Sequence, residues 1–169
     1  MEENVGAMNG GVGSAAKIVA LMARVGMTPQ LEVGASTFEP FSDPAATDAL
    51  GRELGRRIRP LDPNVVCVWD EPGDMVLGHV VGLELGLRWV RCANADGLVV
   101  FSGSLPKAAR AVIVSDVAVD IERVRAIQNL LAIHGGSVVA VAVLLGTSQL
   151  DAIAGDVPDI VSLVRSESV

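Results

Sequence analysis

Hydrophobic residues recur at two different spacings along the chain, and the spacing changes after Pro63. In the first part, apolar residues repeat every three or four positions, as on one face of a helix. One predicted helix starts at Ser14, a good capping residue, and stops at Gly26. A second starts at Asp43-Pro44, with the aspartate at the cap and the proline at the first helical position, and ends at Pro60.

After Pro63, short apolar runs alternate with segments of helical periodicity. The runs predict strands over residues 65–69, 87–91, 110–115 and 137–145. Two further helices are predicted to open at Gly73-Asp74 and at Asp120, and residues 97–105 are typical of a small hairpin or flap. The pattern over residues 157–164 fits either a final helix or an edge strand.

This alternation predicts an α/β fold, with a parallel sheet flanked by helices. The first residues are acidic and rich in glycine, and no internal repeat or linker divides the remainder. We therefore expect a disordered tail over residues 1–13 and a single domain over residues 14–169.

Composition narrows the classes of function. The net charge is -7 and the sequence pI is about 4.7, whereas a nucleic-acid-binding protein usually presents a basic face. The one dense basic cluster predicts the solvated face of a helix, with an anion or partner site as the alternative: Arg52, Arg56, Arg57 and Arg59. The longest apolar run, residues 138–145, is far shorter than the roughly 20 residues that span a bilayer. Cys67 and Cys92 lack the spacing of a disulfide framework or zinc site, so we expect reduced thiols and a cytoplasmic protein that binds neither membrane nor nucleic acid.

Two loops follow predicted parallel strands and therefore carry the candidate chemistry. In such sheets, ligands bind in the crevice beyond the carboxyl ends of the strands. The first loop runs from Trp69 to Asp74, and the second from Ser115 to Glu122.

The strand Arg110-Ala-Val-Ile-Val-Ser-Asp-Val117, a helix, and then Gly135-Gly-Ser-Val-Val-Ala-Val-Ala-Val-Leu144 resemble the core of type I phosphoribosyltransferases, most of all orotate phosphoribosyltransferase. In that family, acids at the end of the strand hold the ribose hydroxyls, and the following loop holds the 5-phosphate of phosphoribosyl pyrophosphate. The resemblance places the equivalent of this loop at Ser115, Asp116, Val117, Ala118, Val119, Asp120, Ile121 and Glu122.

Other segments agree with the family in order along the chain. The resemblance implies a base site containing Glu32, Phe38 and Phe41. It implies a pyrophosphate loop at Asp70, Glu71, Pro72, Gly73 and Asp74. Asp116 is then the candidate ribose-binding catalytic residue, and Arg91, at the root of the mobile catalytic loop, would assist the leaving group. The family also implies a homodimer.

This chain departs from the family pattern at each anion site. Ser115 stands where the family has its first acid, and residues 117–122 contain no Gly, Ser or Thr to receive a phosphate. Asp120 would itself cap the helix, and with Glu122 it would repel a phosphate dianion. No Lys lies between residues 91 and 97, and Glu32 stands where the family usually has Lys. Arg123 could compensate only by folding back.

The acids of the first loop have two interpretations. Asp70, Glu71 and Asp74 could bind Mg²⁺ together with Asp116, because this ion prefers oxygen ligands. The alternative is a solvated turn whose charges favour a helix N-terminus. We assign no metal site from the sequence, and expect Mg²⁺ only if phosphoribosyl pyrophosphate is bound.

The leading hypothesis is a phosphoribosyltransferase-fold protein with an altered phosphate loop, acting as a binding, regulatory or repurposed biosynthetic module for a nucleobase- or nucleotide-like ligand. The small molecules expected as partners are a nucleobase, a nucleotide or a ribose phosphate. The first alternative is an active transferase that uses phosphoribosyl pyrophosphate and a pyrimidine-like acceptor. The second is a structural partner of another protein, without a small-molecule ligand.

Overall fold

The computed structural model describes residues 11–28, 38–116 and 120–166. Its α-helices are α1 (Gly11–Arg24), α2 (Pro44–Ile58), α3 (Pro72–Leu85) and α4 (Ile121–Ile133). Its strands are β1 (Val65–Trp69), β2 (Trp89–Ala95), β3 (Leu98–Ser102), β4 (Arg110–Ser115), β5 (Ser137–Gly146) and β6 (Ile160–Arg165). Two 3-10 helices cover Arg59–Leu61 and Ser148–Ile153.

The strands form one six-stranded sheet in the order β3-β2-β1-β4-β5-β6. Every neighbouring pair is parallel except β2 and β3, which form an antiparallel hairpin. Both turn residues of the hairpin, Asp96 and Gly97, have positive φ, as a two-residue hairpin turn requires. The predicted α/β fold is confirmed. The segment predicted as a small hairpin or flap, residues 97–105, instead supplies one strand, β3, which forms a hairpin with β2 at the edge of the sheet.

The helices cover the two faces of the sheet and produce two hydrophobic cores. On one face, α1, α2 and α3 pack against alternate strand residues such as Val66 and Val68. On the other face, α4 and the 3-10 helix Ser148–Ile153 pack against Val65 and Cys67. This alternation follows from the strand geometry, in which successive side chains point to opposite faces.

Two helix starts can be compared with their predictions. Asp43 caps α2 by accepting a hydrogen bond from the backbone N of Ala46 at 3.0 Å, as predicted, and Leu50 and Leu54 are fully buried. Helix α1 begins at Gly11, three residues before the predicted Ser14. The rest of the predicted tail, residues 1–10, lies outside the described residues.

Strand predictions held best for the buried strands. The bounds of β1 and β4 agree with the sequence analysis. Strand β2 begins two residues later than predicted and continues to Ala95, because pairing with β3 extends its ladder. Residues 160–165 form an edge strand parallel to β5, which decides between the two interpretations of that segment.

In the arginine cluster of α2 and the 3-10 helix after it, Arg56, Arg57 and Arg59 are exposed, as expected for a solvated helix face, and Arg52 is half-buried. The cluster also links neighbouring elements. Nη1 of Arg57 donates to the backbone oxygens of Ser162 and Leu163 in β6, at 2.8 and 3.1 Å. Arg52 and Arg59 both contact Glu84 of α3. The cluster is therefore engaged by neighbouring carbonyls and carboxylates.

Cys67 and Cys92 are free and buried on adjacent strands. Hydrogen bonding with Cys67, together with burial, raises the pKa of the Cys92 thiol. A buried neutral thiol behaves as a small hydrophobic residue, so both cysteines serve as core residues here. Among the described residues, no helix is both long and apolar enough to cross a bilayer.

Candidate functional site at the carboxyl ends of strands β1 and β4

The carboxyl end of β4 is joined to the first turn of α3 through one carboxylate oxygen. Oδ1 of Asp74 accepts a hydrogen bond from Oγ of Ser115 and another from the backbone N of Asp116, each at 3.0 Å. The carbonyl of Asp116 in turn accepts from the backbone N of Leu144 at 2.9 Å, which links this point to β5. The strand end is thus fixed from both sides.

Asp74 is a buried acid, with only 5% of its surface exposed. Burial is the main cause that raises its pKa from 3.8 to about 7, and the nearby Asp116 carboxylate adds to it, with a smaller contribution from Glu71. The hydrogen bonds from Ser115 and the Asp116 backbone oppose the rise. Near neutral pH, Asp74 is therefore poised to hold or release a proton.

This result corrects one of the two interpretations of the first loop. Asp70 and Glu71 are exposed, as a solvated turn requires, but Asp74 is not. Sequence position alone placed all three acids in one turn. The fold instead turns the third acid inward, because it lies on the α3 side that faces β4.

Gly73 allows the backbone of α3 to approach two candidate site residues. A Cβ built on Gly73 would lie 3.0 Å from Cδ1 of Phe38 and 3.2 Å from Oδ2 of Asp116. The structure therefore brings Phe38, Gly73, Asp74 and Asp116 into one place. Phe38 is also part of the hydrophobic core and only 8% exposed.

The other two predicted base-site residues are not joined to this group. Phe41 is 70% exposed and belongs to neither core. Glu32 lies outside the described residues.

The N-terminus of α4 faces the same crevice and is occupied by its own cap. Oδ1 of Asp120 accepts from the backbone N of Glu122 at 2.9 Å, so the predicted cap is confirmed. Free N–H groups at this end of a helix are what a bound phosphate needs, and one of them is engaged by a carboxylate. Residues 117, 118 and 119, the middle of the predicted phosphate loop, lie outside the described residues.

Arg123 folds back from α4 toward the first loop. Its guanidinium lies 5.0 Å from the centre of the Trp69 ring, a cation–π distance. It also lies 3.4 Å from Oε1 of Glu71 and 3.6 Å from Oδ2 of Asp120. Of these contacts, only the ion pair with Asp120 was indicated by the sequence, because residues three apart on a helix are neighbours.

Arg91, the predicted leaving-group residue, is also engaged. Its Nη1 lies 3.3 Å from Oδ1 of Asp70, and both side chains are substantially exposed. The two arginines described at the mouth of the crevice therefore each contact a carboxylate of the first loop.

The space left between these groups is small. A cavity of about 20 Å³ lies between the end of β4 and the start of α4, with Trp69, Ser115, Asp120 and Arg123 in its wall. That volume accommodates one water molecule, at roughly 10 to 15 Å³ each. Among the described residues, no group of three or more His, Cys, Asp or Glu side chains is placed to hold a metal ion.

Comparison with known proteins identifies the architecture. Adenine phosphoribosyltransferase from Thermoanaerobacter pseudethanolicus superposes with a TM-score of 0.70 at 17% identity, covering 88% of this chain and 99% of the other. The chain has the type I phosphoribosyltransferase fold. No protein-family model matches the sequence, and a search of curated proteins gives no significant match.

Enzymes with two different acceptors share this fold with the chain. The Giardia lamblia adenine phosphoribosyltransferase, solved with 9-deazaadenine, gives a TM-score of 0.69 at 16% identity, over 89% of this chain and 98% of the other. Orotate phosphoribosyltransferase from Mycobacterium tuberculosis, solved with inorganic phosphate, gives 0.65 at 18% identity, over 90% and 96%. The phosphoribosyltransferase fold predicted from the sequence is confirmed, and both kinds of enzyme match it across most of their length.

Proposed function

We propose that this chain is a phosphoribosyltransferase-fold binding module, with a regulatory or repurposed biosynthetic role, whose crevice takes a nucleobase or nucleoside and not phosphoribosyl pyrophosphate. The observation that carries the proposal is the side-chain cap at α4. The carboxylate of Asp120 accepts from the backbone N of Glu122, at the helix end where the fold offers a phosphate site.

The charges around the crevice support the same proposal. Five acids lie around it: Asp70, Glu71, Asp74, Asp116 and Asp120. Arg91 and Arg123 each contact a carboxylate of the first loop. Two like charges about 4 Å apart repel by roughly 1 kcal/mol in water and about 4 kcal/mol at an effective dielectric of 20, so a phosphate dianion is disfavoured.

An uncharged ligand with hydroxyl groups suits the same residues. Carboxylates accept hydrogen bonds from hydroxyl groups, and Asp116 lies at the carboxyl edge of the sheet beside Gly73. A ribose could donate its hydroxyl hydrogen bonds to Asp116 without carrying a phosphate group that the crevice would have to bind. A nucleoside therefore fits this crevice better than the corresponding nucleotide.

A ligand series measured by melting temperature tests the proposal. Uridine, uridine monophosphate, orotate, adenine and phosphoribosyl pyrophosphate with Mg²⁺ are each added to the protein. At about 100 times its dissociation constant, a ligand stabilises the folded state by about 2.7 kcal/mol, a shift of a few degrees for a chain of this size. We expect a shift with a base or nucleoside and none with phosphoribosyl pyrophosphate. The opposite pattern would overturn the proposal.

An active phosphoribosyltransferase is the second candidate, and the position of Arg91 favours it. Arg91 lies beside Asp70 of the pyrophosphate-loop equivalent, where a cation could assist the leaving pyrophosphate. Asp116 would then steady the ribose, and the exposed carboxylates of Asp70 and Glu71 are suitable oxygen ligands for Mg²⁺. Release of pyrophosphate from phosphoribosyl pyrophosphate, lost in Asp116→Asn, would establish this function.

We also propose that the chain pairs as a homodimer in the cytoplasm. Two exposed apolar side chains support an interface: Leu98 is 70% exposed and Val100 is 41% exposed. Their pairing with Ala95 and Ala93 places them on the same face of the sheet edge. Light scattering on the purified protein tests the pairing, and a monomer at high concentration would contradict it. A chain that proves to be a scaffold would instead co-purify with a different protein and respond to none of the ligands.

A further inference from the structure

A second surface depression lies at the opposite end of α4 from the crevice. Its volume is about 540 Å³, within the range of about 300 to 1,000 Å³ that small-molecule sites occupy. Strand β3, the loop that follows it and the last turn of α4 form its walls. Helix α4 has 13 residues, so the groove and the crevice lie roughly 20 Å apart along it.

The walls of the groove combine apolar and polar surface, and the apolar part comes from two elements. Val99, Phe101 and Leu105 line it from the β3 side, and Leu130 lines it from α4. The ring of Phe101 lies against that of His134, with centroids 6.4 Å apart and a tilt of 52°. Ile133, which follows Leu130 by three residues on the helix, is 79% exposed and extends the apolar surface.

The charge that lines the groove is opposite in sign to the net charge of the chain. The chain has 20 acidic and 13 basic residues, yet none of the residues described as lining the groove is acidic. Lys107 lines it, and its ammonium forms no hydrogen bond or ion pair with the described residues. His134, at the C-terminal end of α4, supplies a ring N–H in either protonation state.

The loop that carries Lys107 is held in place from behind. Ala108 has a left-handed backbone, with φ of 48°, which is uncommon for a residue other than glycine. Nδ2 of Asn64 donates to the carbonyl of Ala108 at 3.3 Å, and Oδ1 of Asn64 accepts from the backbone N of Arg110 at 2.7 Å. These contacts fix the wall of the groove before any ligand arrives.

We propose that this groove is a second ligand site, for a small apolar molecule that carries one acidic group, such as an aromatic or aliphatic carboxylate or sulfonate. The apolar part packs on Phe101 and Leu130. The anionic group pairs with the ammonium of Lys107 and accepts a hydrogen bond from His134. This site is independent of the crevice and of the function proposed for it.

Two fluorescent probes test the proposal on the full chain: 8-anilinonaphthalene-1-sulfonate, which is anionic, and N-phenyl-1-naphthylamine, its neutral counterpart. Lys107→Met removes the charge and keeps the length of the side chain. We expect it to weaken the anionic probe about three- to fivefold, the range of a solvent-exposed ion pair, and to leave the neutral probe unchanged. The matched control is Lys17→Met, since Lys17 is an exposed lysine on α1 that also makes no ion pair with the described residues.

A second pair of variants locates the apolar contact. Leu130→Asp should abolish binding of both probes, whereas Leu83→Asp, at an exposed leucine on α3 that does not line the groove, should not. Melting curves confirm that each variant is folded, and Lys107→Met decides alone if Leu130→Asp does not fold. Equal affinities in the two lysine variants, loss of binding in Leu83→Asp, or no binding to the unsubstituted chain would each overturn the proposal.

Discussion

Oγ of Ser115 donates a hydrogen bond to Oδ1 of Asp74 across 3.0 Å. The resemblance to phosphoribosyltransferases implies an acid at position 115, and the serine that stands there instead supports an acid on α3. A second carboxylate at position 115 would add a like charge beside Asp74 and Asp116. The serine instead donates a hydrogen bond to the buried oxygen. The carboxylate pair at this strand end is therefore formed by Asp74 and Asp116.

The pKa of Asp74 predicts how stability depends on pH. The unfolded chain releases this proton near pH 3.8, whereas the folded chain keeps it to about pH 7. The stability contributed by Asp74 is thus fully present below pH 3.8 and is lost as the pH rises through about 7. We expect Asp74→Asn to increase the free energy of unfolding at pH 8, by up to about 4 kcal/mol, because asparagine keeps an accepting oxygen without the charge.

Urea denaturation of the variant and the unsubstituted chain at several pH values measures this effect. The difference between them should shrink as the pH falls from 8 toward 4. Asp70→Asn removes an exposed carboxylate from the same loop and reports the effect of losing one surface charge. A variant that is less stable than the unsubstituted chain at pH 8 would contradict the account of Asp74.

The fold was predictable because its main signals are local. Alternation of apolar runs and helical segments fixes β1, α3, β4, α4 and β5, and Asp43-Pro44 fixes the start of α2. The end of β2 was missed although a local signal marks it, because Asp96-Gly97 is a typical two-residue hairpin turn between β2 and β3. Residues 157–164 were ambiguous because an edge strand is defined by its partner.

The site was less predictable because burial decides its chemistry. Asp74 and Asp70 are both acids of one loop, and only their orientation relative to β4 separates a buried proton carrier from an exposed charge. Arg123 was predicted to matter only if it folded back, and its contact with Trp69 joins residues 54 positions apart in sequence. Helix caps are encoded locally, and Asp120 was accordingly predicted.

Because Asp120 caps the N-terminus of α4, we predict that one substitution at this residue creates an anion site there. Asp120→Asn keeps an oxygen that caps α4 and removes the charge, so we expect nearly unchanged stability and a gain in stabilisation by inorganic phosphate. Asp120→Ala loses the cap as well and should cost about 1 kcal/mol of unfolding free energy. Melting temperatures with and without phosphate measure both effects. If Asp120→Asn responds to phosphate no more than the unsubstituted chain, the charge of Asp120 does not exclude the anion.

Gly73 predicts a close contact that a methyl group would disturb. In Gly73→Ala, the new Cβ would approach Cδ1 of Phe38 and Oδ2 of Asp116 to within 3.0 and 3.2 Å. Alanine is favoured over glycine in helices by up to about 1 kcal/mol, and we expect the two close contacts to offset this gain in stability. Because one of them displaces the Asp116 carboxylate, nucleoside binding at Asp116 should weaken. Gly155→Ala, where a Cβ would meet nothing within 4 Å, is the control. Calorimetric titration with the nucleoside measures the loss, and unchanged affinity would separate Asp116 from the ligand.

From the position of Arg123, we predict that its guanidinium closes the crevice and that removing the guanidinium opens it. Its ion pairs with Glu71 and Asp120 are solvent-exposed, so Arg123→Met should change the unfolding free energy by less than about 1 kcal/mol. Loss of the cation over Trp69 should instead expose the indole, which lines the small cavity. We expect acrylamide to quench Trp69 more efficiently, measured in a Trp89→Phe background so that Trp69 alone emits.

Arg125→Met serves as the matched control for this experiment. Arg125 lies two residues further along α4 and pairs with Glu122 and Asp156 instead of the first loop. It should leave quenching of Trp69 unchanged. Arg123→Lys should resemble Arg123→Met, because an ammonium lacks the planar group that stacks on an indole and reaches two carboxylates together. If quenching is the same in Arg123→Met as in the unsubstituted chain, Trp69 is covered by another part of the chain, and the guanidinium does not close the crevice.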